Sequence, residues 1–270
     1  MEYVSVQGEQ VPAVGLGTYQ LRGETCKRVV RTALSLGYRH VDTAEYYRNE
    51  AEVGRAIEES SVDREEVFLV TKVWRTNLTR ERVRQSLHES LHDLRTDYVD
   101  LLLIHWPSRT VPVEETIGAM NRLQDEGKVR NVGVSNFSVG QVREAMAASE
   151  TPVFADQVKY HPLTEQNDLL EFCIDEDVLL TAYSPLAKGS VAGDEVLWEI
   201  GERYGKSAAQ VALRWLVQQP NVAAIPKASS GAHLRENLDV FDFELDEAEM
   251  ETVSELHGGL LDRVRSRLWP

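Results

Sequence analysis

The sequence predicts an α/β chain, a (β/α)8 TIM barrel with an N-terminal β-hairpin, and three observations carry that expectation. Eight short apolar runs of β type alternate with segments of helical periodicity, which implies a parallel sheet wrapped by helices. Eight such units within 270 residues suit a closed barrel better than an open doubly wound sheet, the structural alternative. No low-complexity tract, Pro/Gly-rich linker or charge block divides the chain, so residues 1–270 are expected to form one domain.

In chain order, VSVQGEQVP (4–12) alternates around a Gly-Glu turn and reads as a hairpin placed over the barrel floor. The strands are expected at VGLGT (14–18), HVDT (40–43), VFLV (67–70), YVDLLLI (98–104), VRNVGV (129–134), FADQVK (154–159), VLLTAY (178–183) and VAAIP (222–226). Helical periodicity occupies 25–36, 49–59, 79–94, 114–126, 138–148, 167–176, 207–218 and 231–238, with an extra helical stretch at 194–204. The clearest is 79–94, where Val83, Leu87, Leu91 and Leu94 form one stripe opposite Arg, Glu and His. Gly37 and Gly127 stand where helix ends favour a left-handed residue.

Composition narrows the class. With 42% hydrophobic residues the chain can bury one large core. The start, MEYVSVQGEQ, has no basic segment leading into an apolar one, and no apolar run reaches bilayer length; a cytoplasmic protein is expected. Cys26 and Cys173 lie far apart in helical segments, which suits reduced core thiols and neither a disulfide framework nor a metal cluster. The 44 acidic against 29 basic residues, net charge -15, oppose nucleic acid and anionic membranes as partners. Only 7 of the basic residues are Lys. This acidic surface reads either as a solubilising coat or as a halophilic adaptation, in which salt screens the self-repulsion.

The chemistry collects at the strand ends. Asp42 ends the second barrel strand, Lys72 the third, His105 the fourth, Ser135 and Asn136 the fifth, Gln157 the sixth, Tyr183 the seventh and Lys227 the eighth. Singly, Asp42 could cap a helix, His105 could be an interior histidine and Lys72 could snorkel to solvent. Together they converge on the carboxyl rim, where barrels of this kind carry their active sites.

Seven segments resemble the aldo-keto reductases: DTAEYYRNE (42–50), TKVW (71–74), LLLIHWP (101–107), VGVSNF (132–137), DQVKYHP (156–162), YSPL (183–186), and IPK (225–227) followed by EN (236–237). The resemblance runs from GLGTY near residue 15 to about residue 255, in the expected order and at the expected strand ends. Within the family the chain is most similar to the shorter prokaryotic members related to diketogluconate reductases, and the long C-terminal substrate loop of larger members is largely missing. The resemblance implies a nicotinamide-dependent oxidoreductase of aldehydes and ketones with a tetrad of Asp42, Tyr47, Lys72 and His105. A phenol is a weak acid, with a pKa of about 10. A neighbouring Lys72 ammonium would ease proton donation by Tyr47, Asp42 would hold that ammonium, and His105 would orient the substrate oxygen.

The same resemblance implies that Ser135, Asn136 and Gln157 bind the nicotinamide carboxamide and that Tyr183 stacks on the ring. Ser184 and Leu186 fall where the family wraps the pyrophosphate, with Lys188 a further charge. No GxGxxG follows the first strand, since Tyr19 and Gln20 succeed VGLGT. NADP(H) is the expected cofactor. At the adenosine end, NADPH-selective members carry Lys-Ser and then Arg, whereas this chain has Lys227, Ala228 and His233. Lys227, Ser229 and Ser230 could still hold a 2′-phosphate, without the fork that Arg provides. NAD(H) is therefore expected to serve as well. Glu236 and Asn237 match adenine-contacting positions. Tyr19, Tyr46, Trp74 and Trp106 are expected to line the substrate pocket, with Tyr160 and His161 as further wall candidates. The alternative to a reductase is a barrel that binds nicotinamide nucleotide as a sensor or regulatory subunit with little turnover. A metal-dependent lyase is disfavoured because the strand ends lack clustered His and carboxylate ligands. A monomer is expected.

Overall fold

The computed structural model describes residues 2–257. The hairpin pairs β1 (Tyr3–Val6) with β2 (Glu9–Pro12), antiparallel. Its turn is Gln7–Gly8 and not the Gly-Glu pair expected from the alternation. Both turn residues have positive φ, 49° and 83°, as a two-residue hairpin loop that follows the strand twist requires. Gln7 fastens the turn, its side-chain amide donating to the carbonyls of Val153 and Asp177 at 3.1 and 2.9 Å. Val6 and Val11 are buried with Phe68, Leu101, Phe154, Leu179 and Ala223, so the hairpin does cover the floor of the barrel.

Eight parallel strands follow in chain order: β3 (Leu16–Gly17), β4 (His40–Asp42), β5 (Phe68–Val73), β6 (Val99–Ile104), β7 (Val129–Ser135), β8 (Val153–Lys159), β9 (Leu179–Tyr183) and β10 (Val222–Ile225). Each neighbour pairs with the next, and the seam between β3 and β10 is closed by a Val14–Ala224 bridge and a Gly15 amide to Ala224 carbonyl bond of 2.8 Å. The glycines of the VGLGT run make that seam fit. A Cβ on Gly17 would stand 2.7 Å from the Ile225 carbonyl oxygen, and one on Gly15 would stand 2.7 Å from the His40 ring, closer than packed atoms approach.

The helices are α1 (Gly23–Ser35), α2 (Glu50–Glu58), α3 (Arg80–Leu94), α4 (Val113–Asp125), α5 (Val139–Ala148), α6 (Asn167–Asp175), α7 (Glu195–Tyr204), α8 (Ala208–Val217), α9 (Gly231–Leu238) and α10 (Glu247–Ser254). Their apolar stripes and the outward faces of the strands share one large buried cluster. In α3, Val83, Leu87 and Leu94 are buried as the periodicity implies, while Leu91 is only partly so. The last helix was not expected. Its residues EAEMETVS bury little besides Glu249 and Val253, and its legible signal was the capping box Asp246–Glu249. Among the described residues no helix is long and apolar enough to cross a membrane. Cys26 and Cys173 are buried and free.

Strand alternation sends adjacent residues of β8 to opposite sides. Gln157 faces the barrel interior, and Asp156, fully buried, faces the helical layer on the side of the Cys173 thiol. Neither Asp156 carboxyl oxygen makes a hydrogen bond. Burial pushes the group up from 3.8 to about 8, partly offset by the nearby Phe137 amide. Because the folded value lies above the unfolded one, the native state holds the proton more tightly, and stability falls as pH rises from about 4 through 8. Asp156→Asn is expected to melt above the parent at pH 8.5 and to lose that advantage by pH 4, in thermal denaturation at the two pH values.

Candidate active site

Asp42 closes β4, where it opposes Val70 of the adjoining β5, and Lys72 lies two residues further along β5. Both side chains point into the barrel interior near the carboxyl ends of the strands, Lys72 with 0% and Asp42 with 2% exposure. An isolated buried ammonium is costly, and here it is fully engaged. Lys72 Nζ donates to Asp42 Oδ1 at 2.6 Å, to the Thr43 carbonyl at 2.7 Å and to the Tyr47 hydroxyl at 3.5 Å. The second Asp42 oxygen accepts from Gln157 Nε2 at 2.7 Å. Burial draws the Lys72 pKa down, opposed by Asp42.

Tyr47 ends a 3-10 turn, Glu45–Tyr47, that leaves β4 through the extended residue Ala44 and stops at Arg48, φ 53°. Its ring is buried, and burial, followed by the Asp42 charge, raises the phenol well above its ordinary value. Lys72 is in contact with the hydroxyl, and loss of water is the largest influence on the resting phenol. His105 follows β6, its amide bonded to the Val73 carbonyl at 3.0 Å, and its ring stands edge-on to Tyr47 at 5.6 Å. Burial and then Lys72 push its pKa down to about 3, so the imidazole is neutral. Nδ1 is buried without a partner, and since an orphaned N–H is the costlier state, the tautomer is assigned with the proton on Nε2.

The remaining strand ends form one hydrogen-bonded belt beside this group. Ser135 Oγ donates to the Gln157 carbonyl at 2.7 Å, Asn136 Nδ2 donates to the His105 carbonyl and Ser135 Oγ at 3.0 Å each, and the Tyr183 hydroxyl donates to Asn136 Oδ1 at 2.8 Å. Asn136 adopts φ 62° to make these contacts, a conformation Asn tolerates better than most residues. Ser184 and Leu186 follow β9 half-buried, Ser184 with φ 51° and Lys188 with φ 55°. Lys227, Ser229 and the His233 side chain are exposed around the start of α9, which Ser230 caps by accepting from the His233 amide. Glu236 already accepts from Ser207 Oγ at 2.7 Å, and Asn237 is buried against the Tyr38 phenol.

Around the mouth, Tyr46 stacks on Trp74 at 4.0 Å, Trp74 meets the His105 ring at 5.0 Å, and Tyr19 touches Tyr47 at 5.1 Å. Tyr19, Tyr46 and Trp106 are 47%, 49% and 41% exposed, enough for all three to meet a ligand. Tyr160 and His161 do not belong to this wall. Tyr160 packs on Trp215 with its hydroxyl on Gln219, and His161 is buried in its own turn, accepting from the Leu163 amide. Sequence reasoning missed the Thr43 carbonyl under Lys72, and Asn49, whose side chain joins Thr43, Thr18 and Leu21. It also missed Glu50, buried between Thr71 and Ser90. Asn49 and Glu50 lie inside the DTAEYYRNE segment, where being polar beside an apolar helix stripe was the available signal. Among the described residues no group of His, Cys, Asp and Glu could hold a metal.

Residues 13–257 match the model of the aldo/keto reductase family. This chain belongs to that family. It is 39% identical to the glyoxal reductase of Bacillus subtilis over 93% of this chain and 90% of the relative. It is 37% identical to the methylglyoxal reductase DkgB of Yersinia pestis over 91% and 93%. Among solved structures, one provisionally assigned as a 2,5-diketo-D-gluconic acid reductase B superposes with TM-score 0.93 at 48% identity, covering 95% of this chain and 91% of that one. A thermostable aldo-keto reductase crystallised with the inhibitor epalrestat gives 0.89 at 42%, covering 95% and 100%. The family's chemistry is carbonyl reduction with a nicotinamide cofactor, and nothing favours the regulatory alternative.

The pair at the centre makes a stability prediction. Lys72→Met leaves the Asp42 carboxylate buried and uncompensated, at an expected loss of about 3–5 kcal/mol. The double variant Asp42→Asn/Lys72→Met, which removes both charges, is expected to lose clearly less in urea unfolding.

Proposed function

We propose that the chain reduces small aldehydes and ketones to alcohols with NADP(H), using Tyr47 as the proton donor. The observation that supports this most directly is the buried contact series Asp42, Lys72, Tyr47 beside a neutral His105. When bound, the cofactor supplies a hydride to the carbonyl carbon. Tyr47 retains its proton at rest and gives it to the carbonyl oxygen as negative charge grows there. The Lys72 ammonium then stabilises the phenolate left behind, which is where its contact with the hydroxyl counts. Asp42 and the Thr43 carbonyl hold that ammonium, and the Nε2 proton of His105 donates to the same substrate oxygen.

The residues present fit a nicotinamide. The Tyr183 ring is half-buried at the rim with its hydroxyl tied to Asn136, so a ring face is held ready for stacking. Ser135, Asn136 and Gln157 offer amide and hydroxyl groups side by side for the carboxamide. Ser184, Leu186 and Lys188 would line the pyrophosphate, Lys227, Ser229 and His233 the 2′-phosphate, and Glu236 and Asn237 the adenine. With His233 where NADPH-selective members carry Arg, and Arg235 two residues further on turned to the Gly231 carbonyl, discrimination against NADH is modest and NAD(H) also serves.

For substrate, Tyr19, Tyr46, Trp74 and Trp106 make an open aromatic mouth suited to small, flat carbonyl compounds. Relatives named for glyoxal and methylglyoxal point to the same size class. We place the enzyme in the cytoplasm as a monomer, one domain throughout, with its surplus of carboxylates suited to concentrated salt.

Tyr47→Phe is expected to lower kcat by at least about 100-fold while NADPH still quenches tryptophan fluorescence; parent-level turnover would refute the assignment. The ratio of kcat/KM with NADPH to that with NADH is expected near ten- to a hundredfold, since one charge-assisted contact is worth about 1.5–3 kcal/mol.

A further inference from the structure

Glu45 takes no part in the proton transfer described above, yet it spans two segments of the rim. Its Oε1 accepts from the Trp74 backbone amide at 2.5 Å and from Asn77 Nδ2 at 3.0 Å. The Asn77 amide donates back to the Trp74 carbonyl at 2.8 Å, so residues 74–77 form a turn gripped at both ends by one carboxylate oxygen. Glu45 itself opens the 3-10 turn that presents Tyr46 and Tyr47. Among the described residues no other hydrogen bond joins 45–47 to 74–77.

What else holds the two segments together is aromatic contact. Tyr46 and Trp74 stack with planes 15° apart, but Tyr46 is half exposed, and a stacked pair has no direction that stops the rings sliding over each other. Hydrogen bonds to a carboxylate are both directional and strong. The Glu45 contacts therefore decide where the Trp74 ring lies relative to Tyr46 and, through the edge contact at 5.0 Å, relative to His105.

We infer that Glu45 is a positioning residue that sets the aromatic wall of the substrate pocket, and so governs affinity for planar conjugated carbonyls more than the rate of proton transfer. The inference rests on Tyr46 and Trp74 being that wall. Tyr47 is held independently, by Lys72 and by its amide on the Ala44 carbonyl at 2.9 Å, which is why the wall can shift while the donor stays.

Steady-state kinetics with an aromatic aldehyde and with methylglyoxal test it. Glu45→Ala is expected to raise KM for the aromatic aldehyde about five- to twentyfold with kcat within about twofold of the parent, and to alter methylglyoxal kinetics less. Glu45→Gln keeps an acceptor oxygen for both donors and is expected to restore the parent KM. Trp74→Ala should raise KM alike, and adding Glu45→Ala to it should bring no further rise. If Trp74→Ala raises KM and Glu45→Ala does not, the clip is overturned and the wall stands; if Trp74→Ala leaves KM unchanged, the wall reading fails first. A fall in kcat without a KM change, additive KM effects, or a loss of folded protein with parent kinetics in the remainder each overturns the inference. Should Glu45→Ala not fold, Asn77→Ala removes one of the two bonds and must show a smaller KM-selective rise, parent kinetics there being equally decisive against it.

Discussion

The Lys72–Asp42 pair is the constraint from which the rest of this molecule follows. A charged amine can sit in a packed barrel only if acceptors surround it, and the acceptors here come from one short stretch, residues 42–47, which the pairing of β4 with β5 brings to Lys72. Asp42 arrives on β4, the Thr43 carbonyl just after it, and Tyr47 from the turn beyond. Gln157, from β8, holds the far oxygen of Asp42. Strand order, register and inward alternation must all be right for these groups to meet. A buried ion pair of this kind is often matched or bettered in stability by apolar residues of equal volume, so stability alone does not account for it.

The Asp42–Lys72 ion pair aside, burial disfavours charge at this centre. Burial acts on Tyr47 and His105 in the same sense, favouring the uncharged form of each. In the proposed mechanism a donor that holds its proton until the substrate oxygen demands it wastes none to solvent, and a neutral imidazole can still donate a hydrogen bond. The short-range attraction of Lys72 then matters only once the phenol begins to ionise, when charge appears within reach of Nζ.

Much of this was legible in the sequence. The eight apolar runs all became strands, because fully buried parallel strands leave continuous Val, Leu and Ile, and the polar residues that interrupt them mark their carboxyl ends. Asp42, Lys72, Ser135 and Gln157 stood out for that reason. Tyr47 did not end a run and was found through family resemblance alone. What stayed hidden depends on distance between segments. The hairpin turn moved by one residue because Gln7 has tertiary partners at Val153 and Asp177. The helix at Glu247–Ser254 lacks an apolar stripe of its own, and the contacts of Glu45 join residues 29 and 32 positions apart, which no local pattern encodes. Tyr160 and His161 looked like wall residues by their place after a strand, yet the chain there turns them inward to Gln219 and to their own loop.

The hydrogen-bonded belt from Tyr183 through Asn136 and Ser135 to Gln157 and Asp42 is made almost wholly of residues on or next to strands. Tyr19, Tyr46 and Trp106 hang from the connecting loops. The belt and the mouth are thus carried by different segments, with one exception: Tyr47 shares the turn Glu45–Tyr47 with Tyr46. A lineage, or an engineer, can vary Tyr19 with the belt intact, whereas rebuilding the turn that bears Tyr46 disturbs its neighbour as well.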